Sequence, residues 1–241
     1  MTPASSGERI PAAWSPLEAA LIAFHDRGER AEVLVSSYLG DPPVLQASLF
    51  FRTEGEIEKW ESVALERCGE HVLDVGAGVG AHALILQGRG HRVTALETLP
   101  GAVRIMEERG VKDARVGTLF DLPDEATYDT VLILMNGSML AETLSGLDSM
   151  LERVLGMIHP GGSLLFDSTD LRLSDDPSGG YGRYVGELHF QLSYGGLRGE
   201  VCLHLFVDPD TLQARTHIGG WETRVIWEGT DGRFLAQLSP T

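Results

Sequence analysis

The sequence predicts an α/β fold: a doubly wound, mostly parallel seven-stranded sheet with a terminal antiparallel hairpin, an N-terminal helical lid and an inserted β-hairpin cover. Three observations predict it. Strand-like and helix-like segments alternate from His71 to Thr169, and because parallel strands need a crossover each time, this alternation implies a parallel sheet with helices on both faces. The segments VLDV, VLILM and LLF are continuously apolar, as strands buried on both faces are. The first of these strands runs directly into glycines at 76, 78 and 80 and then a helix, and open sheets of this kind bind ligands at such a turn.

The elements follow in order. Residues 1–15 are Pro/Ala/Ser-rich and read as a flexible N-terminus. Residues 16–69 read as the helical lid: SPLEAALIAFHDRGERAEVLVSSYLG has Leu17, Ala20, Leu21 and Phe24 at helical spacing. A Pro-bounded stretch then leads to a second helix, about Glu54 to Arg67, closed by Gly69. Residues 70–241 form the core: HVLDVGAG, a helix to Gly88, HRVTALE, a helix from Pro100 to Arg109, ARVGTL, YDTVLILMN, a helix from about Leu140 to Ile158, and GGSLLFDST. An insertion of about residues 171–207 follows, a Gly/Asp-rich loop and then VGELHFQLSY, GGLRG and EVCLHLFV as an antiparallel hairpin. A short helix, DPDTLQARTHIG, precedes the closing pair WETRVIWEG and RFLAQL. The inserted hairpin falls where an open sheet presents its ligand crevice, so it is expected to cover the site.

Composition limits the partners. With 241 residues, 43% of them hydrophobic, the chain suffices for one large core. The absence of an apolar run of about 18 residues, and of a basic-then-apolar N-terminus, predicts a soluble, cytoplasmic protein without a membrane partner. Cys68, Cys202 and the eight histidines lack metal-ligand spacing, so both thiols are expected to be reduced and no metal is expected. Nineteen Lys plus Arg against thirty-five Asp plus Glu give a net charge of -16, which repels nucleic acid and favours a small neutral or cationic partner.

Two ligand classes want the glycine turn. Read as Gly76-x-Gly78-x-x-Ala81 with Glu97 ending the second strand, it satisfies the dinucleotide fingerprint and points to a nicotinamide- or flavin-dependent oxidoreductase. Asp74, just before the first glycine, favours the other class: a carboxylate there repels a pyrophosphate but serves a ligand carrying positive charge.

VLDVGAGVG resembles motif I of the class I S-adenosylmethionine-dependent methyltransferases, VTALE their second motif, and HPGGSLLFDS the Pro-Gly-Gly turn before their fifth strand. The closing pair resembles their final hairpin, and the likeness runs from about Glu70 to Leu238. The resemblance implies that S-adenosylmethionine is the cofactor and S-adenosylhomocysteine the product. It places Gly76, Ala77 and Gly78 under the methionine part, Asp74 near its amino group, Glu97 on both ribose hydroxyls and Leu99 on the adenine. Family members often carry an acid before the fourth strand for the adenine amine; VGTLFDLP puts Thr118 there, leaving Thr118, the Leu119 backbone and Asp121 as the alternatives. Asn136 ends the fourth strand where the family touches the sulfonium or the substrate, and Arg52 in FFRTEGEIEKWE is placed to reach the cofactor's carboxylate; the other readings are a turn residue for Asn136 and a salt bridge to Glu54 or Glu56 for Arg52.

The methyl of a sulfonium is already activated, so transfer mainly requires positioning, and a base serves only some acceptors. His189, His204, Tyr181, Tyr184, Asp167 and Asp170 are the candidates for base or anchor, with Asn136, His189 and Tyr184 as the catalytic choices. Both histidines alternate with apolar neighbours, so each is expected to face water or the pocket under the hairpin. His82 is expected near the cofactor and Trp221 in the core. The reading is a methyltransferase, monomeric or homodimeric, acting at O, N, S or C of a small molecule; the rivals are a nicotinamide-dependent oxidoreductase and a cofactor-binding protein that transfers nothing.

Overall fold

The computed structural model describes residues 10–37, 44–173 and 184–241. In chain order the elements are α1 (Ile10–Arg27), β1 (Glu32–Ser36), β2 (Val44–Gln46), α2 (Lys59–Leu65), β3 (His71–Val75), α3 (Ala81–Gly88), β4 (Arg92–Glu97), α4 (Pro100–Arg109), β5 (Ala114–Val116) and β6 (Tyr128–Ile133). They continue with α5 (Leu144–Leu155), β7 (Ile158–Thr169), β8 (Glu187–Tyr194), β9 (Leu197–Arg198), β10 (Cys202–Leu205), α6 (Pro209–Ile218), β11 (Trp221–Glu228) and β12 (Arg233–Pro240).

Seven strands form the main sheet in the order β11-β12-β7-β6-β3-β4-β5. The pairs β3–β4, β3–β6, β4–β5 and β6–β7 are parallel, whereas β12 runs antiparallel to β7 and to β11. The chain winds outward from β3 through β4 and β5, then returns to the other side of β3 with β6, so the strand order reverses at β3 and β6 and opens a crevice beyond their carboxyl ends. One face of the sheet is covered by α5, whose Leu147, Met150, Leu151 and Val154 are buried at helical spacing, together with Leu212 of α6 and Trp221. The other is covered by Trp60, Ala64 and Leu65 of α2, Ala83, Ile85 and Leu86 of α3, and Val103 and Met106 of α4. Burying each such leucine or isoleucine contributes roughly 1.5–3 kcal/mol, and the paired faces fix the sheet that carries the crevice.

The segment expected to be a helical lid is a helix followed by a hairpin. The helix begins at Ile10, ahead of Pro16, and ends at Arg27; Gly28, at φ 67°, turns the chain out with its N–H on Phe24 O at 3.0 Å. EVLVS is instead the strand β1, its burial alternating, with Val33 buried between exposed Glu32 and Leu34. The second helix is also shorter than expected: Ala47–Phe51 is a 3-10 turn, and α2 starts only at Lys59 behind a reciprocal cap between Glu58 and Glu61. Likewise Gly137–Ala141 is a 3-10 turn, and α5 begins at Leu144 instead of about Leu140.

The inserted hairpin and the N-terminal hairpin join. β8 pairs antiparallel with β1 and with β10, giving a second sheet ordered β10-β8-β1-β2 with β9 on β8. Ser138 Oγ donates to Leu205 O at 2.8 Å, and Val207 N donates to Ser168 Oγ at 3.0 Å, which holds β10 against the carboxyl ends of β6 and β7. α1 closes the remaining side: Leu17, Ala20 and Leu21 pack with Leu99, Ala102 and Ile105 of the β4–α4 region, and Glu18 Oε1 accepts from Gly101 N at 2.6 Å. Among the described residues no helix is long and apolar enough to cross a membrane.

Candidate active site

The glycine turn lies at the mouth of the crevice. Gly78 and Gly80 have φ of 57° and 83°, and a Cβ on Gly80 would lie 2.7 Å from Val111 Cγ2, so a side chain there meets both backbone strain and a neighbour. The turn is roofed by two apolar side chains: a Cβ on Gly76 would stand 3.2 Å from Leu140 Cδ1, and one on Gly78 would stand 3.2 Å from Phe50 Cδ1. Arg109 fastens the loop by donating to Val79 O, and its guanidinium lies over the Phe51 ring.

Two carboxylates flank the turn. Glu97 at the end of β4 is nearly enclosed; its Oε2 accepts from Gly78 N at 2.9 Å, and its Oε1 accepts from Thr98 N, Leu99 N and Thr98 Oγ1 at 2.6, 3.1 and 3.1 Å. Burial raises its carboxyl, and these backbone N–H groups oppose the rise. Asp74, at the end of β3, is buried with an oxygen, Oδ2, that has no hydrogen-bond partner. Burial pushes its carboxyl up to about 6 against the field of His82 and the Ala83 N–H. A fully buried acceptor left open beside a glycine turn calls for a donor, and a cationic one best offsets the desolvation of the charge.

Arg52 finds a partner that neither sequence alternative named. Its Nη1 and Nη2 donate to the two oxygens of Glu61 at 2.6 and 2.7 Å, Nε donates to Leu49 O, and Nη2 lies 3.3 Å from Met135 Sδ. Glu54 bonds Arg89 and Glu56 bonds Thr53 instead. The fully buried Glu61 also takes His82 Nε2 at 2.8 Å and Glu58 N at 2.8 Å. Burial works to raise its carboxyl, but the bonds from His82, Arg52 and Glu58 outweigh it and hold it at about 2. Sequence reading missed Glu61; the acid three residues after Glu58 at a helix start was the available signal.

The loop after β6 is strained. Met135 and Asn136 have φ of 71° and 59°, and Glu142 has 60°, the three non-glycine residues with positive φ among those described. Asp167 anchors the loop from β7, accepting from Asn136 N at 2.9 Å and Gly137 N at 3.0 Å, with Arg233 Nη1 at 3.4 Å. Burial pushes the Asp167 carboxyl up to about 6 against those bonds and the Arg233 charge. Asn136 Oδ1 accepts from Thr169 Oγ1 at 2.7 Å and makes no cap, so Asn136 sits in the turn at the strand end.

Of the remaining expected residues, some gather at the crevice and some do not. Leu99 is buried at the start of α4, and Thr118 caps a 3-10 turn, Leu119–Asp121, by accepting from Phe120 N. Asp121 is held by Thr118 N and Thr118 Oγ1, both at 2.7 Å, and Leu119 O accepts from Arg153 Nε. His189 is exposed on the outer face of β8, so the structure does not support it as a catalytic group. His204 does not share its face: it pairs across the ladder with Leu188, whereas His189 pairs with Leu203, and it is buried between Trp14 and Phe190. Tyr184 is corrected too: its hydroxyl donates to Asp208 Oδ2 and accepts from Asp208 N at 2.8 Å, at the N-cap of α6. Burial and the Asp208 charge push its hydroxyl up to about 12, so it is unsuited to accept a proton as a base. Asp170 is bonded to Arg172, Trp221 is in the core, and Tyr181 lies outside the described residues.

The comparisons with known proteins bear on the fold and the family. Residues 73–166 match the family model described as a methyltransferase domain. A solved S-adenosylmethionine-dependent methyltransferase from Bacteroides fragilis, in complex with S-adenosyl-L-homocysteine, is 35% identical, covers 96% of this chain and 97% of its own, and superposes with a TM-score of 0.87. This chain belongs to the class I S-adenosylmethionine-dependent methyltransferases. A malonyl-[acyl-carrier protein] O-methyltransferase of Serratia marcescens is 30% identical over 100 residues, a match spanning 42% of this chain and 38% of that protein. The CcbJ methyltransferase from Streptomyces caelestis, 16% identical over 74% of this chain and 92% of its own with a TM-score of 0.60, shares the fold. In this methyltransferase the seven-stranded sheet is therefore the family's, whereas the acceptor is a matter for the chain's own side chains.

Proposed function

We propose that the protein transfers the methyl group of S-adenosylmethionine to a nucleophilic atom of a small molecule, holding the cofactor across the β3 and β4 ends. The observation that carries the reading is the unpartnered Oδ2 of Asp74 beside a glycine turn whose other flank is Glu97. S-Adenosylmethionine brings two positive groups, its sulfonium and its ammonium, and supplies an already activated methyl. Asp74 would accept from the ammonium, Gly76, Ala77 and Gly78 would pass beneath the methionine part, and Glu97 would accept from the ribose hydroxyls. Leu99 would pack on the adenine, with Thr118 and the Leu119 backbone at its edge.

Arg52, locked by Glu61, Leu49 O and Met135 Sδ, keeps one Nη1–H for the cofactor's carboxylate, and its orientation is set before a ligand arrives. Phe50 and Leu140 must swing off the turn for the ligand to enter, and their return would exclude water from it. The chain's own contribution to rate would then be alignment, which is worth on the order of 7–11 kcal/mol when reacting atoms are held at near-attack distance. Nucleic acid remains an unfavourable acceptor at a net charge of -16.

Calorimetric titration with S-adenosylmethionine, S-adenosylhomocysteine, NADH and NADPH tests the reading. Binding of the two sulfur nucleosides alone is expected; binding of a nicotinamide cofactor instead would overturn it. Methyl transfer to a screened acceptor separates an enzyme from a protein that only binds the cofactor.

A further inference from the structure

The loop after β6 meets the inner face of the second sheet in a corner that the cofactor reading leaves without a role. Glu142 sits there at φ 60° and ψ -45°, in a turn closed by Thr143 N on Ala141 O at 2.6 Å. This is the γ-turn of the rare, strained hand, a conformation that a non-glycine residue seldom adopts. Among the described residues the half-buried Glu142 carboxylate has no hydrogen-bond or ion-pair partner, and no arginine or lysine neutralises it. Arg172 is taken by Asp170, Asp208 and Asp210, and Arg233 by Asp167.

A second open acceptor lies nearby. The loop that carries Glu142 is tied to β10 by Ser138 Oγ, which donates to Leu205 O, and on that strand Cys202 Sγ is 3.5 Å from His204 Nε2. The His204 ring is stacked between Trp14 and Phe190, with centroids 5.2 and 4.5 Å away, and its Nδ1 is buried without a partner. Burial lowers the imidazole to about 4, so the ring is neutral near pH 7. With the Cys202 thiol directed at Phe190 O, Nε2–H donates to sulfur and Nδ1 is left as a bare acceptor. The same loop reaches the cofactor turn, since Leu140 lies on Gly76 while Met139 packs against the cluster of Leu188, Phe190 and Phe206, as Cys202 does.

We propose that Glu142 and Nδ1 of His204 anchor the methyl acceptor and that this acceptor is a compact amine. The proposal rests on the methyltransferase reading and adds the acceptor class. A carboxylate or phosphate would place a second negative charge against an unpaired Glu142, and a neutral alcohol would leave that charge uncompensated; an ammonium supplies the charge and donors for both open acceptors. One proton of the arriving ammonium passes to a Glu142 oxygen, which frees the nitrogen lone pair as the nucleophile and leaves a neutral carboxyl; that proton later leaves to water. The flanking Trp14 and Phe190 favour an apolar or planar body behind the amine.

Titrations of the full chain, with and without saturating S-adenosylhomocysteine, compare 2-phenylethylamine with phenylacetate and cyclohexylamine with cyclohexanecarboxylate. Wild type is expected to bind at least one amine and neither acid, and Glu142→Gln is expected to lose at least tenfold in amine affinity while binding S-adenosylhomocysteine as wild type does. Glu142→Gly, which relieves the turn, is expected to raise the melting temperature by about 2–4 °C or more. An acid binding better than its matched amine, no amine binding at all, or an undiminished amine affinity in Glu142→Gln would overturn the acceptor site. Failure of S-adenosylhomocysteine to bind wild type would strike the methyltransferase reading instead, and the same titrations report the two separately.

Discussion

Glu97 and Asp74 end neighbouring strands of one sheet, both nearly enclosed, yet their surroundings are opposite. Glu97 is met by three backbone N–H groups and a hydroxyl, whereas Asp74 keeps a buried oxygen with nothing to bond. The Glu97 side is therefore built by the backbone and keeps its shape by itself. The Asp74 side carries an unmet demand worth about 1–3 kcal/mol, which a ligand's donor would satisfy. One flank defines where the ligand lies, and the other rewards its charge.

The sharpest way to break this comparison is to remove what braces the Asp74 flank. Glu61→Ala leaves the mostly buried Arg52 guanidinium without its bidentate partner and is expected to cost about 3 kcal/mol of unfolding free energy, read by urea titration. Glu61→Gln keeps the shape and should cost less.

Asp74→Asn tests the demand itself. The folded carboxyl titrates near 6, above its ordinary value of 3.8, so the folded state holds its proton longer than the unfolded chain does. The resulting penalty is absent below the unfolded value, grows as pH rises through this window and is complete above it, at on the order of 3 kcal/mol. The stability of Asp74→Asn relative to wild type should therefore be greater at pH 8 than at pH 4, measured by urea unfolding of the ligand-free protein. Asp167 has the same folded value and is present in both proteins, so the difference isolates Asp74.

On the other flank, Glu97→Ala removes a carboxylate already satisfied. It is expected to weaken S-adenosylhomocysteine by roughly 1.5–3 kcal/mol, a ten- to hundredfold loss by calorimetry, and to loosen Gly78 as well. Thr118→Ala gives the smallest effect: losing the cap of the Leu119–Asp121 turn should cost about 1 kcal/mol of stability, with a slight change in adenosine affinity.

The same contrast runs through what the sequence discloses. The main sheet was legible because its signals are local: apolar runs, crossovers, and a strand feeding a glycine turn all lie within one element and its neighbours. The positions of Asp74 and Glu97 at the ends of β3 and β4 are legible for the same reason. In the second sheet the inserted pair β8 and β10 is legible in the same way, but β1 and β2 are not, since β1 owes its pairing to β8, far along the chain, and EVLVS directly after a helix is too short to announce a strand. Glu61 and Glu142 escaped for a related reason. Nothing in their own segments tells that one braces Arg52 and His82 or that the other is held in a strained turn; both facts come from packing. His189 and His204 show the limit of alternation, which separates two faces but does not say which one α1 will cover.

The most direct measurement pairs two ligands with two proteins. S-Adenosylhomocysteine and 5′-methylthioadenosine share the adenosine that Glu97 would hold, but only the first has the amino group that Asp74 would receive. Titrated into wild type and Asp74→Asn, S-adenosylhomocysteine should lose at least tenfold in affinity and 5′-methylthioadenosine should bind both proteins alike. Equal losses for the two ligands, or none for either, would contradict the assignment of the open carboxylate to the ligand's ammonium.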